Sequence, residues 1–316
     1  MLHMRDHGIL GGLHPLIKLL LLVLVMLAST LVVFLIGFLI ALPFWGEGLL
    51  QGMDMTGVDD LNLIRYLQLL SHIGMFIVSS LVFGLLVGGR PLHYLQADKQ
   101  PSVRALLLSV LIMLAALPLI NYVMEINQQM SLPESLRKLE EWMRQTEDAA
   151  QVMTERFLQV TTYQGLLFNI FLIAIVPAIG EEFIFRGSLQ RVFHQWSRNV
   201  HVAVIVTALV FSAIHFQFYG FMPRFVLGLV LGYMMVITGN IWVPVLGHFF
   251  NNAAAVITYF IVYNYTERDP GEIGSQSFGV LLALISLAMV VVFLRMLSWY
   301  SGHNKPLQGG AESGLH

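Results

Sequence analysis

Eight long apolar runs constrain this chain more than any other feature. They lie at 16–42, 63–88, 104–126, 163–180, 200–219, 222–238, 241–263 and 277–299 of the 316 residues. Because an α-helix of about 17–25 apolar residues crosses the hydrocarbon core of a bilayer, each run is a candidate transmembrane helix. The sequence therefore predicts an all-α, polytopic membrane helix bundle with about eight transmembrane helices.

Composition excludes the soluble alternatives. Apolar residues make up 57% of the chain and charged residues 11%, whereas soluble domains carry about 25% charged residues. A net charge of −2 without a basic cluster argues against a nucleic-acid partner. The absence of cysteine excludes disulfides, thiolate metal sites and a catalytic thiol. The run 16–42 is longer than the apolar core of a cleaved signal peptide, so we interpret it as the first transmembrane helix.

Basic residues in the loops predict the orientation of the bundle. With a cytoplasmic N-terminus, ten of the seventeen Lys and Arg residues fall in inner loops, as the positive-inside rule requires. The ten are Arg5, Lys18, Arg90, Lys99, Arg104, Arg186, Arg191, Arg198, Arg295 and Lys305. We therefore expect an integral protein of a bacterial inner membrane with both termini in the cytoplasm.

The longest polar stretch, 127–162, divides the chain. Its apolar residues recur at helical spacing, which indicates either an amphipathic helix on the membrane surface or a solvated connector. They are Leu132, Leu136, Leu139, Trp142 and Met143. We accordingly divide the chain into N-terminal transmembrane helices with an amphipathic connector helix (1–162), a second helix bundle (163–300) and a disordered tail (301–316).

Two adjacent carboxylates, Glu181 and Glu182, follow the fourth apolar run. An ionisable group in a bilayer costs about 2.5–3.5 kcal/mol on insertion scales, so such residues usually serve a function. On a helix, Glu182 and Arg186 share a face and can pair, while Glu181 points about 100° away. A free carboxylate in an apolar cavity suits a general base. A charge cluster at a cytoplasmic helix end is the structural alternative.

Two further motifs place histidines in apolar surroundings. His215 is the only ionisable group between Val202 and Tyr219. His248 and Asn252 lie four residues apart, so on a helix they can donate two hydrogen bonds to one oxygen, as an oxyanion hole does. Both side chains can instead bind backbone carbonyls across helices.

The depth of these motifs raises a geometric condition. If the fourth helix ended at 180, Glu181 would lie at the inner membrane face, whereas His215 would lie about 22 Å along the next helix. The motifs can meet only if the helices are offset, or if the fourth helix continues to about Trp196.

Three motifs together resemble the signature of the CPBP family, which contains the CAAX prenyl endopeptidases and their bacteriocin-processing and abortive-infection relatives. In order, they are Glu181-Glu182-x-x-x-Arg186, Phe211-x-x-x-His215 and His248-x-x-x-Asn252. The resemblance covers about 163–262 and implies a multi-helix membrane fold with an active site inside the bilayer.

The resemblance also implies roles. Glu181 and His215 would activate the attacking water, and His248 and Asn252 would stabilise the oxyanion. The second carboxylate and the arginine of the first motif would hold the architecture around the base. The family is usually described as metalloproteases, and Glu181, His215 and His248 are a possible three-ligand zinc set with one open position. The same residues can act without metal, and the sequence leaves this open.

The leading hypothesis is therefore an intramembrane endopeptidase whose substrate is a membrane-associated protein or peptide. Its other expected partner is the lipid bilayer, and the sequence does not define an oligomeric state. One alternative is a non-catalytic immunity or scaffold protein. Another is a proton-coupled transporter, although that class uses discontinuous helices in both halves of the chain and the polar cluster occupies only the second half.

Overall fold

The protein is a bundle of helices. The computed structural model describes residues 8–46, 60–266 and 279–302, and within those ranges it contains no strand. The helices are α1 Pro15–Trp45, α2 Leu61–Gly88, α3 Pro91–Tyr94, α4 Val103–Gln128, α5 Arg137–Leu158, α6 Tyr163–Ser197, α7 Val200–Ala213, α8 Phe221–Thr238, α9 Trp242–Tyr265 and α10 Gly279–Ser301. Short 3₁₀ turns at Glu134–Leu136 and Phe218–Gly220 precede α5 and α8.

Seven of the described helices are long and apolar enough to cross a membrane: α1, α2, α4, α6, α8, α9 and α10. The fifth predicted span, 200–219, is instead the shorter helix α7 of 14 residues. The chain leaves the helix after Ala213, and Phe216 adopts a left-handed backbone with φ +52°. The predicted class, an all-α integral membrane protein, is confirmed.

The fourth span continues well past its predicted end. Helix α6 extends to Ser197, so the two carboxylates lie in the middle of a 35-residue helix rather than at a membrane face. This continuation meets the geometric condition for the three motifs to come together. Arg186, counted among the inner-loop cations, is therefore a buried residue inside the bundle.

Helix α6 is the central element of the bundle. Its most apolar 18-residue window is 61% buried, against 17% in α1 and 22% in α10. The apolar side chains of α1 and α10 consequently face lipid, while α6 is surrounded by protein. A site on the middle of α6 is thus shielded from both lipid and bulk water.

Glycines set how closely the helices approach. Gly228 and Gly232 of α8 pack against Ala208 and Val204 of α7, where an added Cβ would lie 2.9 Å from the neighbouring side chains. These two glycines therefore allow α7 and α8 of one chain to pack closely. Gly180 of α6 similarly lies against α2.

The connector helix is present as α5, and it contacts the segment that follows the second motif. The backbone N–H of Tyr219 donates to Glu147 at 3.0 Å, and the Tyr219 hydroxyl donates to Glu140 at 3.3 Å. The guanidinium of Arg144 lies 4.4 Å from the centre of the Tyr219 ring. Helix α5 thus holds the turn between α7 and α8. Of the predicted tail 301–316, Ser301 still belongs to α10, and residues 303–316 lie outside the described residues.

Candidate active site

A buried ion pair anchors the site on α6. Both side chains of the Glu182–Arg186 pair are fully buried, and Nη1 of Arg186 lies 2.8 Å from Oε1 of Glu182. The other terminal nitrogen, Nη2, donates to the Gly228 carbonyl of α8 at 3.2 Å. The guanidinium also lies 4.8 Å from the Phe211 ring centre of α7. The pair predicted by helical spacing therefore ties α6 to α7 and α8.

His248 joins the same carboxylate from α9. Its Nδ1 lies 2.9 Å from Oε1 of Glu182, and the residue is 3% exposed. Because a carboxylate held by a guanidinium accepts hydrogen bonds, Nδ1 carries the hydrogen in this contact. The second nitrogen, Nε2, lies 3.8 Å from Oε2 of Glu181. Glu182 thus orients His248 so that its free nitrogen faces the other carboxylate.

Glu181 is the carboxylate that remains free. In the described part of the chain it accepts no hydrogen bond from a protein group, and imidazole nitrogens of His248 and His72 lie 3.8 and 4.0 Å from its oxygens. It is 7% exposed, whereas Glu182 is completely buried. The two adjacent carboxylates therefore differ in their chemistry: one is fixed by two donors, and the other is available to a bound molecule.

His215 lies on the turn after α7, close to this cluster. Its Nδ1 lies 2.8 Å from the Phe211 carbonyl, so Nδ1–H donates and Nε2 is left as an acceptor. Its ring centre lies 5.1 Å from that of Phe211. No ion-pair contact within 4.0 Å joins His215 to a carboxylate among the described residues. The Phe211 ring also lies 6.0 Å from the ring of His248, so both histidines pack against the same phenylalanine.

Asn252 is partly used by the fold. Its Nδ2 donates to the Ile173 carbonyl of α6 at 3.2 Å. Pro177 has no N–H to give to the carbonyl four residues earlier, which is that of Ile173, so the asparagine supplies the missing donor. The side chain of Asn251 donates to Oδ1 of Asn252 at 3.2 Å. The structure thus realises the predicted alternative of a bond to a backbone carbonyl, while one Nδ2–H of Asn252 is left for a ligand.

Sequence reasoning missed two ionisable residues near the site. His72 of α2 places Nε2 4.0 Å from Oε1 of Glu181. Arg224, counted as an outer-loop cation, lies in the first turn of α8, donates to the Gln217 carbonyl at 3.0 Å and is acted on by the charge of Glu181. Both occur inside the predicted apolar runs 63–88 and 222–238, so an inventory of every ionisable residue in those runs would have found them.

The donor set for a metal is not assembled. In the three described stretches of the chain, no group of three or more His, Asp or Glu side chains is placed so that it could hold a metal ion. Glu181 and His248 approach each other, but His215 is turned toward its own backbone carbonyl. Because these residues do not fit a three-ligand site as arranged, no catalytic step is assigned to a metal.

The fold and the site define a helical integral membrane protein with a carboxylate–imidazole cluster buried in its centre. Residues 163–254 match the family model described as type II CAAX prenyl endopeptidase Rce1-like. The match runs from the start of α6 into α9 and contains all three motifs, so it confirms the family resemblance. The proteins that this model describes are CAAX prenyl endopeptidases.

One curated relative is bacterial. The uncharacterized protein YpbD of Bacillus subtilis (strain 168) is 30% identical over 105 residues, which are 32% of this chain and 50% of that protein. The chain thus spans about half the length of this relative. No solved structure matches the chain.

Proposed function

We propose that this protein is an intramembrane endopeptidase that hydrolyses a peptide bond of a membrane-associated protein or peptide. The observation that carries the proposal is the division between the two carboxylates. Glu182 is held by Arg186 and His248 at 2.8 and 2.9 Å, while Glu181 beside it is bound by no donor in the described structure. A buried carboxylate kept free of donors is suited to take a proton from water.

The proposed reaction begins with the water. Glu181 removes a proton from it, and His215 lies beside the carboxylate with its Nε2 available as an acceptor. The water oxygen attacks the carbon of the scissile carbonyl and forms a tetrahedral oxyanion. Glu181 then passes the proton to the leaving nitrogen as the C–N bond breaks, which gives a carboxylic acid and an amine.

The oxyanion is held from α9. Asn252 offers its remaining Nδ2–H, and His248 offers Nε2–H when its ring is protonated. Preorganised donors of this kind stabilise charge that develops in the transition state, and removing one typically costs about 10²–10³ in turnover.

We place both termini in the cytoplasm of a bacterial cell. Hydrogen bonds join the start of α1, the α2–α4 connection, the end of α6 and the start of α9 at one end of the bundle. In the described residues that end carries one acidic residue, Asp98. Its basic residues are Lys18, Arg90, Lys99, Arg104, Arg191 and Arg198. This excess is the expected signature of the cytoplasmic side, and a bacterial relative supports the host.

The test compares new protein N-termini in membranes from cells that express the wild type or Glu181→Ala at equal abundance. Termini that occur with the wild type and vanish with the variant would establish proteolysis and identify the substrate. Identical termini in both samples would overturn the proposal and favour the scaffold alternative. A Glu182→Gln comparison is unsuitable here because that change disturbs the buried ion pair.

A further inference from the structure

We infer that His72 of α2 is a further active-site residue that shares the water bound by Glu181 and aims it at the substrate. The inference rests on the proposed function and adds a residue outside the three motifs. It also lies outside the family match at 163–254, so the first half of the chain would contribute directly to the site.

The placement of His72 complements that of His248. The two carboxylate oxygens of Glu181 face different imidazoles: Oε2 lies 3.8 Å from Nε2 of His248, and Oε1 lies 4.0 Å from Nε2 of His72. By the same measure His72 approaches Glu181 more closely than His215 does, since His215 has no carboxylate within 4.0 Å among the described residues.

The orientation of the His72 ring is fixed. Its Nδ1 lies 3.1 Å from the Gln68 carbonyl one turn earlier, so Nδ1–H donates and Nε2 presents a lone pair to Glu181. The ring packs 5.5 Å from that of Phe76, and the side chain is 19% exposed. Neither the lone pair nor the carboxylate oxygen can donate to the other, so a donor must lie between them.

A single water satisfies both acceptors. A water about 2.8 Å from each atom spans a separation of 4.0 Å and can donate one hydrogen to each. When Glu181 removes one proton, the other O–H stays bound to His72, which keeps the oxygen lone pair directed at the carbonyl. His72 acts in this way as a positioning residue, and its loss should lower kcat more than it changes KM.

The local backbone is built for this approach. A Cβ on Gly180 would lie 2.9 Å from Cβ of Phe76, so the glycine allows α6 and α2 to cross at this level. A π-helical stretch begins at Ile73, directly after His72, and another begins at Phe183, directly after the two carboxylates. Such π-turns occur frequently at functional sites, because they redirect side chains within a continuous helix.

The test uses a peptide that spans the cleavage site identified from Glu181-dependent N-termini. His72→Phe keeps an aromatic ring against Phe76 but removes the acceptor, and we expect kcat to fall roughly 10- to 100-fold with KM nearly unchanged. His72→Gln places an amide oxygen near the position of Nε2, and we expect it to recover a large part of that loss. His201→Phe is the matched control, since His201 is an exposed residue bonded to Tyr233 at 2.9 Å.

The outcomes separate the two hypotheses. Wild-type kcat in His72→Phe would overturn the role of His72 and leave the endopeptidase intact. A His72→Gln variant that is folded yet as impaired as His72→Phe would also overturn it, because the acceptor would then be irrelevant. A wild-type protein without any Glu181-dependent cleavage would overturn the proposed function and this inference with it.

Discussion

Replacement of Glu182 by glutamine should destabilise the protein, whereas the same replacement of the adjacent Glu181 should leave its stability nearly unchanged. Glu182→Gln removes the charge partner of the Arg186 guanidinium. Both side chains are fully buried, and Nη1 of Arg186 lies 2.8 Å from Oε1 of Glu182. Breaking a buried pair by removing one partner typically costs about 3–5 kcal/mol. At about 2–4 °C per kcal/mol, the unfolding midpoint should fall by roughly 6–20 °C. Glu181→Gln breaks no hydrogen bond to the described protein, so its free energy of unfolding should change by less than about 1 kcal/mol.

Both variants should lose activity, but only Glu182→Gln should lose stability with it. Glu181→Gln cannot accept a proton, so kcat should fall by at least about 10²-fold in a protein of unchanged stability. Glu182→Gln should lose activity together with stability, because His248 loses the anionic acceptor that orients it. The measurements are thermal unfolding of the purified protein in detergent and cleavage of the substrate peptide. Glu141→Gln is the matched control, since Glu141 contacts Arg137 at 3.6 Å on the exposed surface of α5.

A loss of stability in Glu181→Gln as large as in Glu182→Gln would refute this reasoning. It would mean that both carboxylates are structural and that neither is held free for a proton. Full activity in Glu181→Gln would refute the assignment of the base whatever the stability of the variant.

Three further outcomes follow from the described geometry. Gly180→Ala forces a close contact between α6 and α2, so unfolding and kinetic assays should show a loss of about 1–3 kcal/mol in stability and a lower kcat. Gly12→Ala is the control: its added methyl group meets open space, so neither stability nor kcat should change. The hydrogen bond from Arg144 holds the pKa of Glu140 below its ordinary value of 4.5, so the stability it contributes is present above that value and is lost as the pH falls through the lowered pKa. The protection of amides in the α7–α8 turn, corrected for the intrinsic pH dependence of exchange, should therefore fall at acid pH in the wild type. Glu140→Gln, but not Glu141→Gln, should abolish this dependence. Elemental analysis should find far less than one zinc per chain, with cleavage insensitive to chelators; stoichiometric zinc with chelator-sensitive turnover would contradict the donor placement described above.

The sequence predicts the class of the fold well, because the constraint behind it is one-dimensional. A helix that crosses a bilayer must be a continuous apolar run, so length and hydropathy alone find most of the spans. The fold departs from the prediction at the same polar positions that carry the chemistry. The predicted fourth span stops at 180 because two carboxylates follow it in the sequence. In the structure Arg186 and His248 bind the Glu182 carboxylate inside the bundle, and α6 continues to Ser197.

The site is predictable only where its partners lie on one helix. The spacing of Glu182 and Arg186 requires them to share a face, and the structure pairs them. The contacts of His248 and Asn252 depend on which helices become neighbours, which no local pattern specifies. Asn252 is an example: its donor is used by Ile173 because Pro177 cannot supply one, and this relation connects two helices about 80 positions apart along the chain.

His72 shows how a site can extend beyond its recognisable motifs. Nothing next to it in the sequence suggests chemistry, and it becomes relevant only because Gly180 lets α2 approach α6 beside Glu181. That crossing places His72 near Oε1 of the free carboxylate, and α9 places His248 near Oε2. The free carboxylate thus has His72 near one oxygen and His248, which Glu182 orients, near the other. The asymmetry between the carboxylates therefore arises from tertiary packing, and the adjacent pair in the sequence becomes one structural and one reactive group only within the assembled bundle.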